Sequence, residues 1–539
     1  MKTLYSALLL STCGVFLTSC GGGGGGSSPA PIPPPVVVTP PQNTAPTVSS
    51  ANSNQSGIIG ETFEYDATQA GATFTDADGD SLAYSVTFSP TAQGLSASNG
   101  VISGTPAAPG VITVTITADD GNGGSVSNSF DISINAAASA STKPNILFVI
   151  TDDQGKDASA EYSLSQDNPN TPNFSALANS GIVFDNLWVS PSCSPTRAAL
   201  ISGKYGHATN VLRPGDALAA NEVILQSFLK TDMATSDYAS ALIGKWHLGG
   251  GDSGPNDFGL DYFAGITGGG VQDYFNWSLN VNGAVSTSTN YTTTELTDLA
   301  IDWVDDQSQP WFLWLSYNAP HTPFHLPPAP LHNRNLPGTL ADINANSRDY
   351  YLASIEAMDT EFGRLMDSLP AAERENTVVI FIGDNGTPNQ VIDTTIAQRG
   401  AKGSLFQGGV NTPMFISGAG VTRAGEREEA LITHTDFFPT IVELAGGSLA
   451  SYQDGESFAP LLTAPETPHR EYGYTNDDGG WTIRNAANKL IENNNGTRNL
   501  FDLITDPAET TDLLNGTSDT SDIVTELSDE ADRIRSGAN

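Results

Sequence analysis

The chain has 539 residues, with 60 Asp and Glu against 22 Lys and Arg, for a formal net charge of −38. At roughly 100 to 200 residues per domain this leaves room for two or three domains, each with a core of its own. Such a negative field repels nucleic acid and anionic surfaces, so no nucleic-acid partner is expected, and an anionic substrate requires a locally basic pocket.

The first residues read as an export signal. Lys2 supplies the positive charge, an apolar stretch runs from Leu4 to Leu17, and Leu17-Thr18-Ser19-Cys20 follows. This run resembles a bacterial lipobox. The resemblance implies a lipoprotein signal peptide over residues 1–19, cleavage before Cys20 and acylation of its thiol. The chain would then sit in the bacterial cell envelope, anchored by lipid at the outer membrane and facing either the periplasm or the surface. The apolar run is shorter than the roughly 20 residues that a membrane-spanning helix needs. Cys13, Cys20 and Cys193 are the only cysteines, so no disulfide is expected within the processed chain and Cys193 needs its own explanation. Residues 20–42, with Gly21 to Gly26 and the Pro-rich Pro29 to Pro41, form a flexible and then semi-rigid linker.

Residues 43–136 contain no Lys or Arg, and alternating stretches such as Val111-Ile112-Thr113-Val114-Thr115-Ile116-Thr117 are separated by Gly, Asp and Pro turns. That pattern predicts a small all-β sandwich. Phe74-Thr75-Asp76-Ala77-Asp78-Gly79-Asp80 and Gly104-Thr105-Pro106 resemble cadherin-like and Ig-like modules of bacterial surface enzymes. Asp76, Asp78 and Asp80 read either as a calcium loop or as a solvated acidic turn, since the full ligand series of a twelve-residue calcium hand is missing. A spacer or weak glycan-binding module is expected.

After the small residues 136–142 the character changes. Lys143 to Ile150 contains a continuous apolar run, Ile146 to Ile150, ending in Thr151-Asp152-Asp153, as expected of a strand buried on both faces with polar groups at its carboxyl end. Trp311 to Ser316, Thr377 to Ile382 and Pro413 to Ser417 read as further buried strands, and Asp349 to Ser368 as a helix. Open α/β sheets bind ligands beyond the carboxyl ends of their strands, and Asp152 and Asp384 both fall there.

The most specific segment is Ser192-Cys193-Ser194-Pro195-Thr196-Arg197, continuing through Leu200-Ile201-Ser202-Gly203-Lys204. It resembles the signature of the formylglycine-dependent (type I) sulfatases of the alkaline-phosphatase-like superfamily. Thr171-Pro172-Asn173-Phe174, Phe184-Asp185-Asn186 and Ile243-Gly244-Lys245-Trp246-His247-Leu248-Gly249 extend the match, which covers residues 143–514. The resemblance implies an α/β/α sandwich over residues 143–445 and a C-terminal α+β subdomain over 446–539. The subdomain is signalled by Trp481-Thr482-Ile483-Arg484, Lys489-Leu490-Ile491 and Asn499 to Asp502.

In that family the cysteine is oxidised to formylglycine by a formylglycine-generating enzyme, here at Cys193. One hydroxyl of the aldehyde hydrate attacks sulfur and the other later expels sulfate, which divides the hydrolysis into two steps. Asp152, Asp153, Asp384 and Asn385 offer oxygen ligands alone, which suit calcium or magnesium rather than zinc. The resemblance makes them calcium ligands together with residue 193. It also implies Arg197 as organiser of the formylglycine, Lys245 on sulfate oxygens, His247 as the base of the second step, and His321 and Lys402 near the leaving oxygen.

His207 reads as structural or pocket-lining; His325, His332 and His434 receive no role. Trp246, Tyr274, Phe275 and Trp277 read as core ahead of sugar-binding residues. The expected reaction is hydrolysis of sulfate monoesters on a sulfated polysaccharide or oligosaccharide. Two alternatives stay open: a phosphonate or phosphodiester hydrolase of the same superfamily, and a catalytically silent glycan-binding surface protein.

Overall fold

The computed structural model describes residues 43–135, 143–396, 399–465 and 467–537. The expected signal peptide, its Cys20 and the linker lie outside them. The described residues fall into two compact units, 43–135 and 143–537.

In the first unit one sheet runs Gln55–Ile58, Ser125–Asn135, Gly110–Asp119, Ala83–Ser89, and a second runs Phe63–Asp66, Val101–Gly104, Leu95–Ser98. Alternation along Gly110–Asp119 buries Ile112, Val114, Ile116 and Ala118. These meet Ile102, Leu95, Phe130, Ile132 and Ile134 in one core, as the period of two requires. Asp76, Asp78 and Asp80 do cluster. Asp76 Oδ1 accepts from the backbone N–H groups of Asp78 and Asp80 at 2.9 and 3.2 Å, and Asn122 donates to Asp80.

The second unit is built on a ten-stranded sheet. Its middle is five parallel strands in the order Tyr262–Ile266, Ala239–Lys245, Trp311–Ser316, Asn145–Thr151, Thr377–Gly383. The hairpin Trp277–Val281 and Ala284–Ser288 extends one edge. Met414–Gly418, antiparallel to its neighbours, leads on to Ile182–Phe184 and Glu426–Glu428 at the other. Every residue of Asn145–Thr151, Trp311–Ser316 and Thr377–Gly383 is buried.

Alternate residues of the central strand feed two separate cores. Ile146, Phe148 and Ile150 join side chains of the helices Cys193–Ser202, Leu225–Thr231 and Phe437–Leu444. Leu147 and Val149 join those of Pro172–Ser180, Thr292–Asp305 and Ser347–Ser368. Helices on both faces of a mostly parallel sheet make an α/β/α sandwich.

The chain ends in an antiparallel sheet, Gly473–Asp477, Gly480–Arg484, Asn488–Asn493, Arg498–Asp502, backed by the helix Ser521–Ser536. Trp481, Ile483, Leu490 and Leu500 pack with Leu527 and Ala531 of that helix, and with Tyr205 of the sandwich.

Candidate active site

The five parallel strands end at one edge, and four of them deliver groups to a single place there. Asp152 and Asp153 follow Asn145–Thr151, Lys245 closes Ala239–Lys245, and Asp384 and Asn385 follow Thr377–Gly383. Asn318 and His321 lie just past Trp311–Ser316. A parallel sheet makes this convergence from residues far apart in sequence.

Cys193 enters from the side, as the first residue of the helix Cys193–Ser202. The free N–H groups at such a helix start favour negative charge beside it. The helix stops at Gly203, whose φ of +70° places it in the left-handed region; this accounts for the glycine that ends the signature. Cys193 is buried, and burial pushes its thiol up to about 12, against the pull of Lys245. An unmodified thiol here stays protonated and is a poor nucleophile at neutral pH.

Arg197, one turn on, is buried and holds the site together. Its Nη1 donates to the Lys245 carbonyl at 2.9 Å and to Ser316 Oγ, and its Nη2 pairs with Asp384 Oδ2 at 2.8 Å. Lys245 Nζ lies 2.6 Å from Asp152 Oδ2. Burial opposes ionisation of Asp152, but Lys245, His321, Arg197 and Lys402 outweigh it and hold the carboxyl well below its usual range. Asp384 is pushed the other way, to about 6, by burial and by the charge of Asp152.

Lys402 Nζ lies 2.5 Å from Asp153 Oδ1 and 3.5 Å from Cys193 Sγ. Burial works against its charge, but Cys193, Asp153 and Asp152 together raise its pKa. His321 Nδ1 is 2.9 Å from the Thr322 carbonyl, so this nitrogen carries the proton and Nε2 faces Asp153 Oδ2 at 3.8 Å. His247 is lowered to about 3, first by burial and then by Lys245 and Arg197, so its ring is neutral at neutral pH. Asp153 and His247 both have left-handed backbone, with φ of +75° and +57°. Such conformations cost on the order of 1–3 kcal/mol and gather at functional sites.

The donor set fits a divalent cation. Ligand atoms of Asp152, Asp153, Cys193 and His321 all lie within 4.8 Å of one another. Asp152 Oδ1 and Asn385 Oδ1 are buried without a hydrogen-bond partner, and an orphaned buried oxygen of this kind calls for a compensating charge or donor. Asn385 Nδ2 is turned to Asp153 Oδ1 at 2.8 Å, which leaves its oxygen free. Asp384 Oδ1 accepts from the Asp153 N–H at 2.9 Å, but a carboxylate oxygen keeps a second lone pair for a cation.

All ten residues predicted from the sequence therefore converge. His321 belongs to the cluster of possible metal-ligating atoms, whereas the sequence reading placed it at the leaving oxygen alone. Gly269 and Gly270 were missed. A Cβ on Gly269 would stand 2.7 Å from His247 Nε2, and one on Gly270 would stand 3.1 Å from His321 Nδ1. This loop, from a region that carries no motif, brings its backbone close against both imidazoles. Its only sequence signal is the run Gly268-Gly269-Gly270 after a strand.

Of the remaining candidates, Trp246, Tyr274 and Trp277 are buried, while Phe275 is 40% exposed. His325 stacks on Tyr274 with centroids 3.9 Å apart. His207 packs between Tyr205 and Tyr474, and His434 is fully buried beside Ser190.

Residues 144–448 match the Sulfatase family, and the chain belongs to it. Residues 401–537 match the C-terminal region of N-sulphoglucosamine sulphohydrolase, and residues 45–135 a putative Ig domain. An uncharacterized sulfatase of Escherichia coli strain K12 is 28% identical over 348 residues, which is 58% of this chain and 60% of that protein. Mouse arylsulfatase J is 26% identical over 352 residues, 60% of this chain and 56% of its own length. The chain thus spans somewhat over half of these two curated relatives. The crystal structure of Ps i-CgsB in complex with k-i-k-neocarrahexaose is 26% identical, with a TM-score of 0.62 over 74% of this chain and 94% of that one.

Proposed function

We propose that this protein hydrolyses sulfate monoesters of sulfated carbohydrates, with Cys193 matured to formylglycine and a calcium ion held by Asp152, Asp153, Asp384 and Asn385. The observation that carries the reading is one buried locus. There a nucleophile position, two lysines and an arginine meet a carboxylate set whose Asp152 Oδ1 lacks a hydrogen-bond partner. A local cluster of directed cations is what an acidic protein needs to receive a sulfate group.

Calcium, when bound, supplies a positive charge that polarises a sulfate oxygen and favours the ionised nucleophile. Formylglycine supplies covalent catalysis, which a thiol cannot complete. The chain's own groups do the rest. Arg197 and Lys245 fix the orientation of Asp384 and Asp152. Lys402, 3.5 Å from the position 193 side chain, stabilises negative charge as it develops there. His247, neutral at its place in the cation cluster, accepts a proton. His321, with Nδ1 tied to the Thr322 carbonyl, presents Nε2 to hold or deliver a proton at the leaving oxygen. A carbohydrate substrate is supported by the oligosaccharide in the Ps i-CgsB complex.

Maturation requires a formylglycine-generating enzyme, so the peptide holding residue 193 should be about 18 Da lighter than its cysteine form. Released sulfate from an aryl sulfate, with aryl phosphonate and bis-aryl phosphate in parallel, tests the reaction. Preference for either phosphorus ester would replace this reading with the phosphohydrolase one, and no turnover by formylglycine-bearing protein would leave a glycan-binding role. Elemental analysis should find calcium, and its removal should abolish turnover. Export and lipid anchoring belong to the same proposal: labelled fatty acid should be incorporated in cells and lost in Cys20→Ala.

A further inference from the structure

A second cavity, of about 840 Å³, opens where the C-terminal sheet meets the sandwich, and none of its lining residues belongs to the site above. Lys156 and Arg484 line it, only 7% and 6% exposed. The other buried cations of this unit, Arg470 of the same cavity included, have carboxylates: Arg197 with Asp384, Lys245 with Asp152, Arg423 with Glu428, Arg470 with Asp436, Lys489 with Glu509. Among the described residues Lys156 and Arg484 have none. Lys156 donates to the Asp185 carbonyl and lies over the Tyr162 ring at 4.5 Å. Arg484 donates to the carbonyls of Asn485 and Ala486 and to Asn186 Oδ1. Both make their hydrogen bonds to neutral acceptors, and Asp185 and Glu509 act on them only from beyond ion-pair distance; a buried charge compensated this weakly is costly.

The electrostatics agree with the geometry. Burial lowers Lys156 to about 7; Asp185 opposes this, and Arg427 and Arg484 add to it. Burial also lowers Arg484 to about 10, against the pull of Glu509. Gln407 and Asn411 line the same cavity, 7% and 8% exposed, and each leaves its side-chain oxygen without a partner. Of the carboxylates that also line the cavity, Asp185 pairs with Arg427, and Glu429 and Glu471 are exposed; buried cations without an ion pair beside unpaired acceptors complement a ligand that is anionic and also carries hydroxyl donors.

We propose that this cavity is a second anion site, which binds a sulfate group, either free or as the ester of a sugar unit whose hydroxyls meet Gln407 and Asn411. The choice of sulfate rests on the proposed substrate class; the demand for an anion does not. Equilibrium dialysis of the calcium-loaded full chain against labelled inorganic sulfate, at constant ionic strength in chloride, is the test. The wild type should bind two sulfates per chain, one of them competitive with an aryl sulfate substrate. Lys156→Met and Arg484→Met should each bind one, keep the same inhibition by sulfate and the same kcat on aryl sulfate, and unfold no lower than the wild type in chloride alone. A rise of about tenfold in KM for a sulfated oligosaccharide in both variants, with the aryl sulfate KM unchanged, would identify an ester as the occupant, whereas unchanged KM for both substrates would identify the free anion. One sulfate per wild-type chain, competitive with substrate, would overturn the cavity site, as would two sulfates in both variants. One sulfate in the wild type that vanishes in the variants and never inhibits would keep the cavity and overturn the active-site reading.

Discussion

The two units of this chain solve the problem of a stable interior in opposite ways. The first, residues 43–135, has no Lys or Arg. It stands on alternation: the inward residues of Gly110–Asp119 are aliphatic, and the outward Thr113, Thr115 and Thr117 meet Asp131, Ser129 and Ser127, while outward Val111 stays exposed. The second unit buries charge on a large scale, with Arg197, Lys245, Asp152 and Asp384 all at most 1% exposed. Burying an apolar side chain contributes about 1.5–3 kcal/mol, while a buried charge contributes only when its partner stays in place. A change in the first unit therefore costs what one side chain's burial is worth, whereas removing one member of a pair in the second also strands the charge of the other.

The largest effect should come from the nucleophile position. Cys193→Ala should fold, since a small buried side chain is exchanged for a smaller one, and lose turnover of sulfate esters by at least about a thousandfold in kcat. Residual activity within about tenfold of wild type would refute the role of residue 193.

Arg197→Met should come next. It strips the charge partner from Asp384, which costs about 3–5 kcal/mol when one member of a buried pair is removed. Chemical denaturation of metal-free protein should read this loss, and calcium should recover part of it by taking over the compensation. An equal loss with and without calcium would place the ion elsewhere.

Gly269→Ala should leave stability near that of the wild type while lowering kcat about a hundredfold. The new Cβ meets the tip of His247, which moves, rather than backbone, which cannot, and small displacements of catalytic groups have costs of this size. Gly268→Ala, where a Cβ has open space, is the control.

A smaller effect concerns acid. His434 is buried and lowered to about 3 by burial, against the pull of Asp436; the unfolded chain has the ordinary value of about 6.5. Between these values the unfolded state binds more protons, so stability is full above about 6.5 and falls as the pH drops toward 3. His434→Phe should lower the slope of stability against pH in that window by about one proton, read from denaturation midpoints at stepped pH. An unchanged slope would mean that the imidazole is charged when folded.

The smallest effect sharpens the comparison most. A chain beginning at Ser141 should keep its kcat and KM on a small aryl sulfate within about twofold, because every group of the proposed site lies in residues 152–402. Loss on a polymer alone would give the first unit a role in reaching or holding glycan.

Sequence by itself determined the elements that depend on local pattern. The period of two across 111–117, the apolar runs from Ile146, Trp311 and Val378, and the helix predicted from Asp349, which starts at Ser347, all follow from which side chains must leave water. The signature around Cys193 and the Asp and His segments were legible through their resemblance to the motifs of a known family, since a lone Asp pair, histidine or lysine has ordinary structural roles.

Only the tertiary structure decided how those segments meet. Arg197 joins Asp384 across 187 positions, and Lys402 joins Asp153 across 249. No periodicity encodes such pairs, because they exist only once parallel strands are brought side by side. The glycine loop against the two histidines was invisible for the same reason, as a glycine shows in sequence only that a side chain is missing, not what occupies the space. The unpaired state of Lys156 and Arg484 was equally hidden. In a chain with almost three acidic residues for each basic one, composition predicts a partner for every cation, and only the packed interior shows which were left without one.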